Sequence, residues 1–218
     1  MKLYTTYSLS HIDLYNDYFV PSLPSELALN EREIPQDCPS GVCWSSGFDI
    51  SSHKKIKYYK KACEDNQGDI IICSDIDVQF FGDVKDTLIS ELGDFDLACQ
   101  DDGLYPAHAH RLPYCSGFMV LRCNNKTMDL LTKIDQDFAV DDQHTLNQIL
   151  KRYPDICQHK LLSNKFFTAG QSLGWRGWNG EKTFSLPDPV IMHHANYTFT
   201  IENKKKLLTL VKERVSAR

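Results

Sequence analysis

Asp69-Ile70-Ile71-Ile72-Cys73-Ser74-Asp75-Ile76-Asp77-Val78 begins as an unbroken apolar run and ends on two carboxylates. A strand covered by helices on both faces of its sheet shows apolar residues at successive positions, where a half-exposed strand would alternate. Ile70 to Cys73 has the first pattern, and Gly68 closes whatever precedes it. The stretch therefore predicts a central strand over Asp69–Ser74 in a parallel or mixed sheet. Asp75 and Asp77 are two apart on an extended chain, so they share a face just beyond the carboxyl end of that strand. Ligands of open α/β sheets bind at such ends, and hard divalent cations take carboxylate oxygen, which makes the pair a candidate Mg²⁺ or Mn²⁺ site. Alone, an Asp-x-Asp also fits a solvated turn.

Working outward, periodicity predicts an opening strand at Lys2–Ser8, a short helix at His11–Phe19, a short strand at Glu26–Leu29 and irregular chain from Asn30 to Ile50. Ser51 or Ser52 caps a helix to about Asn66, with Ile56, Tyr59, Ala62 and Cys63 on its apolar side. Further strands are expected at Phe95–Gln100, Gly117–Arg122, Ile156–Leu161 and Val190–His193, and helices at Lys126–Phe138 and Asp142–Arg152. The tail from Ile201 to Arg218 is amphipathic, with Leu207, Leu208 and Val211 on one side. Alternating strands and helices place the chain in the α/β class. The glycine- and proline-rich stretch Thr168–Pro189 reads as a functional loop, whose Trp175-Arg176-Gly177-Trp178 either stacks on a sugar or packs in the core.

The 218 residues carry 24 Lys+Arg against 29 Asp+Glu, a net charge of −5, which excludes a dedicated nucleic-acid binder built on a basic excess. One domain is expected over 1–218, with halves at 1–100 and 101–200 and a C-terminal helix (201–218). No apolar run approaches the roughly 20 residues that cross a bilayer, and Met1–Ser10 lacks the basic and apolar regions of a signal peptide. The eight cysteines form no C-x-x-C pair, and several lie in apolar runs, as expected of buried thiols in a reducing cytoplasm. The Asn125 and Asn196 sequons are then chance occurrences.

Three more clusters follow strand ends or open helices. His193-His194-Ala195-Asn196 follows the last strand; an imidazole beside two carboxylates suits Mn²⁺, although a histidine there is also ordinary as a hydrogen-bonded residue. Asp141-Asp142-Gln143 either caps its helix or faces a sugar. Asp101-Asp102-Gly103 and Tyr114-Cys115-Ser116-Gly117 either line the same pocket or make turns.

In their order and spacing these pieces resemble the GT-A nucleotide-diphospho-sugar glycosyltransferases. The match runs from Leu3-Tyr-Thr-Thr-Tyr7, through the helix with Lys57 and the Asp69–Val78 run, to Ser116-Gly-Phe-Met-Val-Leu-Arg122, Asp142-Gln-His-Thr-Leu-Asn147 and His194-Ala-Asn196. The group is that of the plant cell-wall xylosyl- and galactosyl-type transferases, and the chain is also similar to compact domains encoded by large algal viruses. The resemblance implies a single GT-A domain with a mostly parallel mixed sheet flanked by helices. It implies a nucleotide- and metal-binding half (1–100), a sugar- and acceptor-binding half (101–200), transfer of a hexose from a UDP-sugar to a glycan or glycoprotein acceptor with Mn²⁺ or Mg²⁺, retention of configuration, and further domains if the chain is part of a longer one.

Residue by residue, it implies that Thr5, Thr6 and Tyr7 cradle base and ribose, with Ile76 also at the nucleotide, and that Lys57 lies near the donor. Asp75 touches ribose and metal, while Asp77 and His194 bind the metal, with His193 as the alternative imidazole. Asp102, Ser116, Gly117, Asp142 and Gln143 meet the sugar or its anomeric carbon, and Asp142 and Gln143 are the catalytic candidates. Two other readings stand beside this one. Ile71–Val78 also resembles the strand and nucleophile of haloacid-dehalogenase-like phosphatases, where Asp75 would attack, although that motif normally opens a chain. An inert sugar-nucleotide-binding module has the same binding residues without turnover.

Overall fold

The computed structural model describes residues 1–40, 42, 45–103, 112–168 and 178–218. Its centre is the predicted strand, β3 (Ile70–Ser74), with Ile71, Ile72 and Cys73 fully buried. It lies in a six-stranded sheet ordered β2-β1-β3-β6-β5-β7. These strands are β1 (Lys2–Tyr7), β2 (Ala28–Glu33), β5 (Leu97–Asp101), β6 (Tyr114–Arg122) and β7 (His159–Leu161). The pairs β1–β2, β1–β3 and β5–β7 are parallel, while β6 runs antiparallel to both β3 and β5. The fold is thus the expected mixed α/β architecture.

Alternate side chains of β3 feed two cores, which is why the sequence run is continuous. Ile72 joins Leu3, Ala98, Phe118 and Val120 in one, while Ile71 and Cys73 join Tyr4, Cys99, Met119 and Leu121 in the other. The second core is covered by α3 (Phe48–Asp65), α5 (Asn125–Gln136) and α6 (Asp142–Arg152). The first is covered by helical turns over 9–22, by α4 (Lys85–Leu92), by α7 (Ile201–Ser216) and by a small sheet. Those turns include α1 (Ile12–Leu14) and α2 (Val20–Ser22), separated by the π-helical Tyr15–Phe19. The small sheet is ordered β4-β9-β8: β4 (Val78–Phe80), β9 (Met192–His194) and β8 (Phe166–Thr168). At about 2 kcal/mol for each fully buried Ile or Leu, the two faces supply the bulk of the stabilisation.

Several boundaries differ from expectation for physical reasons. The second strand runs over Ala28–Glu33 instead of Glu26–Leu29, because an edge strand needs backbone partners on one side only and Asn30–Glu33 face outward. The helix α3 starts at Phe48 and not at a Ser51 or Ser52 cap. Its N-cap is Gly47, at φ +80°, where a Cβ would stand 1.9 Å from the Asp37 carbonyl oxygen. The helix α4 and the three-residue strands β4 and β8 had no prediction; elements that short show no readable periodicity. The seven described cysteines are buried and unbridged. Trp178 packs in the first core and donates to the Lys182 carbonyl at 2.9 Å, whereas Trp175 and Arg176 lie outside the described residues. Among the described residues, no helix is long and apolar enough to cross a membrane.

Candidate active site

Register brings the carboxylates together with their partners. Thr5 of β1 lies opposite Ser74, so the chain leaves β1 through Thr6 and Tyr7 beside Asp75. Across β6, the Asp75 amide donates to the Gly117 carbonyl at 2.7 Å. In the small sheet Val78 pairs with His194, and the Ala195 amide donates to the Asp77 carbonyl at 2.9 Å. One ligand atom from each of Asp75, Asp77 and His194 falls within 4.8 Å of the others. This cluster opens into a cavity of about 770 Å³.

The cluster has the chemistry of a divalent cation site. Gln100 donates through Nε2 to the Phe166 and Phe167 carbonyls at 3.1 and 3.0 Å, so its Oε1 accepts from His194 Nδ1 at 2.8 Å. With the ring proton fixed on Nδ1, Nε2 is left as the ligating atom, facing Asp77 Oδ1 at 3.1 Å. His193, the alternative imidazole, points elsewhere: it stacks on Phe167 at 5.7 Å, fully buried, and burial lowers its pKa to about 3. Burial alone would raise the Asp77 carboxyl, but the Lys204 ammonium in contact with it more than reverses this and holds it well below the usual range. Two carboxylate oxygens and one imidazole nitrogen fit Mn²⁺ or Mg²⁺.

A second carboxylate group adjoins the first through Lys55. Its Nζ lies 2.7 Å from Asp75 Oδ1 and 2.7 Å from Asp142 Oδ2. Burial would lower the ammonium's pKa; Asp142 and Asp75 together raise it well above its ordinary value. The capping reading of the α6 start holds for Asp141, which accepts from the His144 amide at 2.6 Å, while Asp142 turns inward to the cavity. Likewise Asp101 makes the turn, accepting from the Gly103 amide at 2.9 Å, while Asp102 is buried against the cavity.

Gln143 Nε2 donates to Asp102 Oδ2 and to the Tyr197 hydroxyl, both at 2.9 Å, and Asn196 Nδ2 donates to Asp102 Oδ1 at 3.0 Å. Burial pushes the Asp102 carboxyl up to about 8, restrained by the donors Tyr197, Gln143 and Asn196. The folded chain thus keeps a proton there that the unfolded chain releases. This group's contribution to stability falls as pH rises from the ordinary carboxylate range through about 8.

Of the residues singled out from sequence, Thr6, Tyr7, Asp75, Ile76, Asp77, Asp102, Ser116, Gly117, Asp142, Gln143 and His194 all line this one cavity. Lys57, Thr5 and His193 do not. Lys57 is exposed on the outside of α3, whereas Lys55, two residues earlier, lines the cavity. Thr5 is buried within the sheet, and its hydroxyl donates to the Ser74 carbonyl at 2.7 Å, so it joins β1 to β3 instead of reaching the cavity. Lys204, which the tail's periodicity places on the outer side with Lys205 and Lys206, instead lines the cavity against Asp77, and His11 and Tyr197, which had no functional reading, line it too. A signal existed for two of the missed residues. Lys55 lies three after Ser52 and four before Tyr59 on the buried face of α3, and Lys204 lies three and four before Leu207 and Leu208.

Residues 66–208, well over half of the chain and including the whole cluster, match the family model of the nucleotide-diphospho-sugar transferases. The chain belongs to that family. Solved glycosyltransferases share the transferase's fold. The structure of GlyE from Streptococcus pneumoniae TIGR4 superposes with a TM-score of 0.55 at 15% identity, covering 98% of this chain and 64% of its own. The galactosyltransferase LgtC, solved with donor and acceptor sugar analogs, gives 0.54 at 12% identity, with 96% of each chain covered. Mouse xyloside xylosyltransferase 1 gives 0.53 at 12% identity, covering 90% of this chain and 98% of its own. The transferase therefore spans less than two thirds of the length of GlyE. These likenesses are of fold, GT-A, and no curated protein matches the transferase in sequence. The family match takes away the support for a haloacid-dehalogenase-like phosphatase.

Proposed function

We propose that this chain is a metal-dependent glycosyltransferase that moves a hexose from a UDP-sugar to a glycan acceptor with retention of configuration. The observation that carries the reading is the convergence of Asp75, Asp77 and His194 at the mouth of a cavity, in a member of the nucleotide-diphospho-sugar transferases. Asp75, Asp77 and His194 would hold Mn²⁺ or Mg²⁺, which when bound supplies a Lewis acid for the charge on a departing nucleoside diphosphate. Thr6, Tyr7 and Ile76, beside the carboxyl ends of β1 and β3, provide the walls for base and ribose. Tyr7 is already braced by stacking on Tyr15 at 4.4 Å.

On the sugar side, Lys55 Nζ pins the Asp142 carboxylate at 2.7 Å. Held there, Asp142 is suited to accepting from sugar hydroxyls and to stabilising positive charge at the anomeric carbon. Gln143, the next residue, lines the same cavity with a neutral amide that Asp102 and Tyr197 position. A tied carboxylate and a neutral amide favour attack on the face that the leaving group departs, which supports retention. The reading is tested by nucleotide release and glycan product from UDP-hexoses with Mn²⁺. Asp77→Ala should lower turnover at least a hundredfold, within the range expected for removing a principal electrostatic contact, while its circular dichroism stays unchanged. Equal turnover in the folded variant would contradict the assignment.

A further inference from the structure

We propose that the outer face of α6, from Val140 to Lys151, is the acceptor site, and that the acceptor is an oligosaccharide with an anionic group on a sugar beyond the one that receives the hexose. The inference rests on the glycosyltransferase reading above and adds the acceptor to it. One side of α6 is spent on packing, with Leu146, Ile149 and Leu150 buried in the second core. The opposite side lines the cavity: His144, Gln148 and Lys151, spaced four and three apart, form one stripe beside Gln143. From Asp142 to Lys151 the helix rises about 14 Å, further than a single sugar ring reaches.

In the donor reading the transferred hexose lies at the start of α6, at Asp142 and Gln143. The stripe leaves that point and continues for the length of the helix, so what lies along it is the molecule that receives the hexose. Its chemistry suits a glycan. Gln148 Nε2 donates to His144 Nε2 at 2.7 Å, which leaves the His144 Nδ1 hydrogen and the Gln148 oxygen for sugar hydroxyls. Phe48, Leu112 and Val140 give the same cavity apolar surface for the ring faces. Lys151 ends the row; it is exposed, and among the described residues no carboxylate pairs with it. An ammonium without a counter-ion, at the end of a row of neutral hydrogen-bonding groups, selects a carboxylate or a sulfate.

Val140 is a second, independent pointer to the same face. It is β-branched, stands at φ +67° and is 56% exposed. A residue of that shape at positive φ is strained and persists only where its surroundings impose it. Here the Asp141 amide donates to the Ala139 carbonyl at 2.8 Å, across Val140, and Thr145 Oγ1 accepts from the Ala139 amide at 3.0 Å. The turn so closed holds an apolar side chain out at the cavity wall, two residues before Asp142, where the core gains nothing from it. The gain falls to a ligand.

The test is saturation-transfer NMR titration of a panel of hexose trisaccharides, each in a neutral form and with a uronate or a sulfate on one end residue, into protein holding UDP and Mn²⁺. Wild type should bind an anionic form about fivefold more tightly than its neutral counterpart, the worth of one well-placed exposed ion pair. Either anion satisfies the proposal, and the tighter one names the group. Lys151→Glu should reverse the preference. Val140→Gly should weaken neutral and anionic forms alike while unfolding no more easily than wild type, since glycine takes positive φ without strain; a merely structural Val140 would leave binding unmoved. Circular dichroism shows whether each variant is folded. Equal binding of neutral and anionic forms by wild type, or a preference that folded Lys151→Glu retains, would overturn the proposal. So would absence of any trisaccharide binding in protein that still binds UDP, and the donor reading would stand. Protein that binds no UDP would remove that reading and this proposal with it.

Discussion

A methyl group on residue 117 would stand 2.3 Å from His194 Cε1 and 2.7 Å from Asp75 Oδ2, closer than any Cβ can approach. Gly117 is therefore required for packing, not for backbone conformation: it lets the His194 imidazole and the Asp75 carboxylate meet over the β6 strand. Gly117→Ala should displace His194, weaken Mn²⁺ binding more than tenfold and cost about 1–3 kcal/mol of stability, as overpacking does. Calorimetric Mn²⁺ titration in the presence of UDP, together with a denaturant melt, checks both, and unaltered Mn²⁺ affinity would show that His194 is not held there. At this scale the sequence was informative where two residues sit two apart on a strand, as Asp75 and Asp77 do, because the pleat leaves no choice of face. It was less so on α3, where Lys54, Lys55, Lys57, Lys60 and Lys61 crowd one helix and 100° per residue separates the inward lysine from the outward ones. His194 was identified by its place after the last strand; its orientation depends on Gln100, a residue 94 positions away that no local pattern connects to it.

Helix α6 is fixed to the end of β6 by one side chain. Asn147 donates through Nδ2 to the Tyr114 carbonyl at 2.7 Å and accepts at Oδ1 from the Tyr114 amide at 3.1 Å, taking the place of a neighbouring strand. That clamp sets where the helix start, and with it Asp142 and Gln143, lies against the cavity. Asn147→Ala strips both backbone partners and should destabilise the fold by about 1–3 kcal/mol. It should also lower turnover while leaving UDP affinity close to wild type; chemical denaturation and a split between kcat and nucleotide affinity measure the two effects. An unchanged denaturation midpoint would show that the clamp carries no energy. Elements of this length, with a full apolar stripe, were legible: α6 and α7 fall where their periodicity places them. The strands β4 and β8 were not, since three residues define no period and only pairing with β9 makes them strands.

For the whole molecule, one doubly covered strand organises the rest. It splits its side chains between two cores, ends on the carboxylates and stands beside β1, whose own end lines the cavity through Thr6 and Tyr7. The α/β class followed from the sequence because long-range layering leaves a local trace in continuous apolar runs. The second sheet left a trace only at Val190–His193, being assembled from segments near positions 79, 167 and 193. Those segments bring His194 to Asp77, so residues more than a hundred positions apart must be folded together before the two meet. The most direct measurement is a calorimetric titration of UDP, GDP and CMP into the protein with and without Mn²⁺. The account predicts binding of UDP, strongly dependent on Mn²⁺, with GDP and CMP binding at least tenfold more weakly, a difference of about 1.4 kcal/mol. UDP binding that ignores the metal, or no nucleotide binding at all, would contradict it.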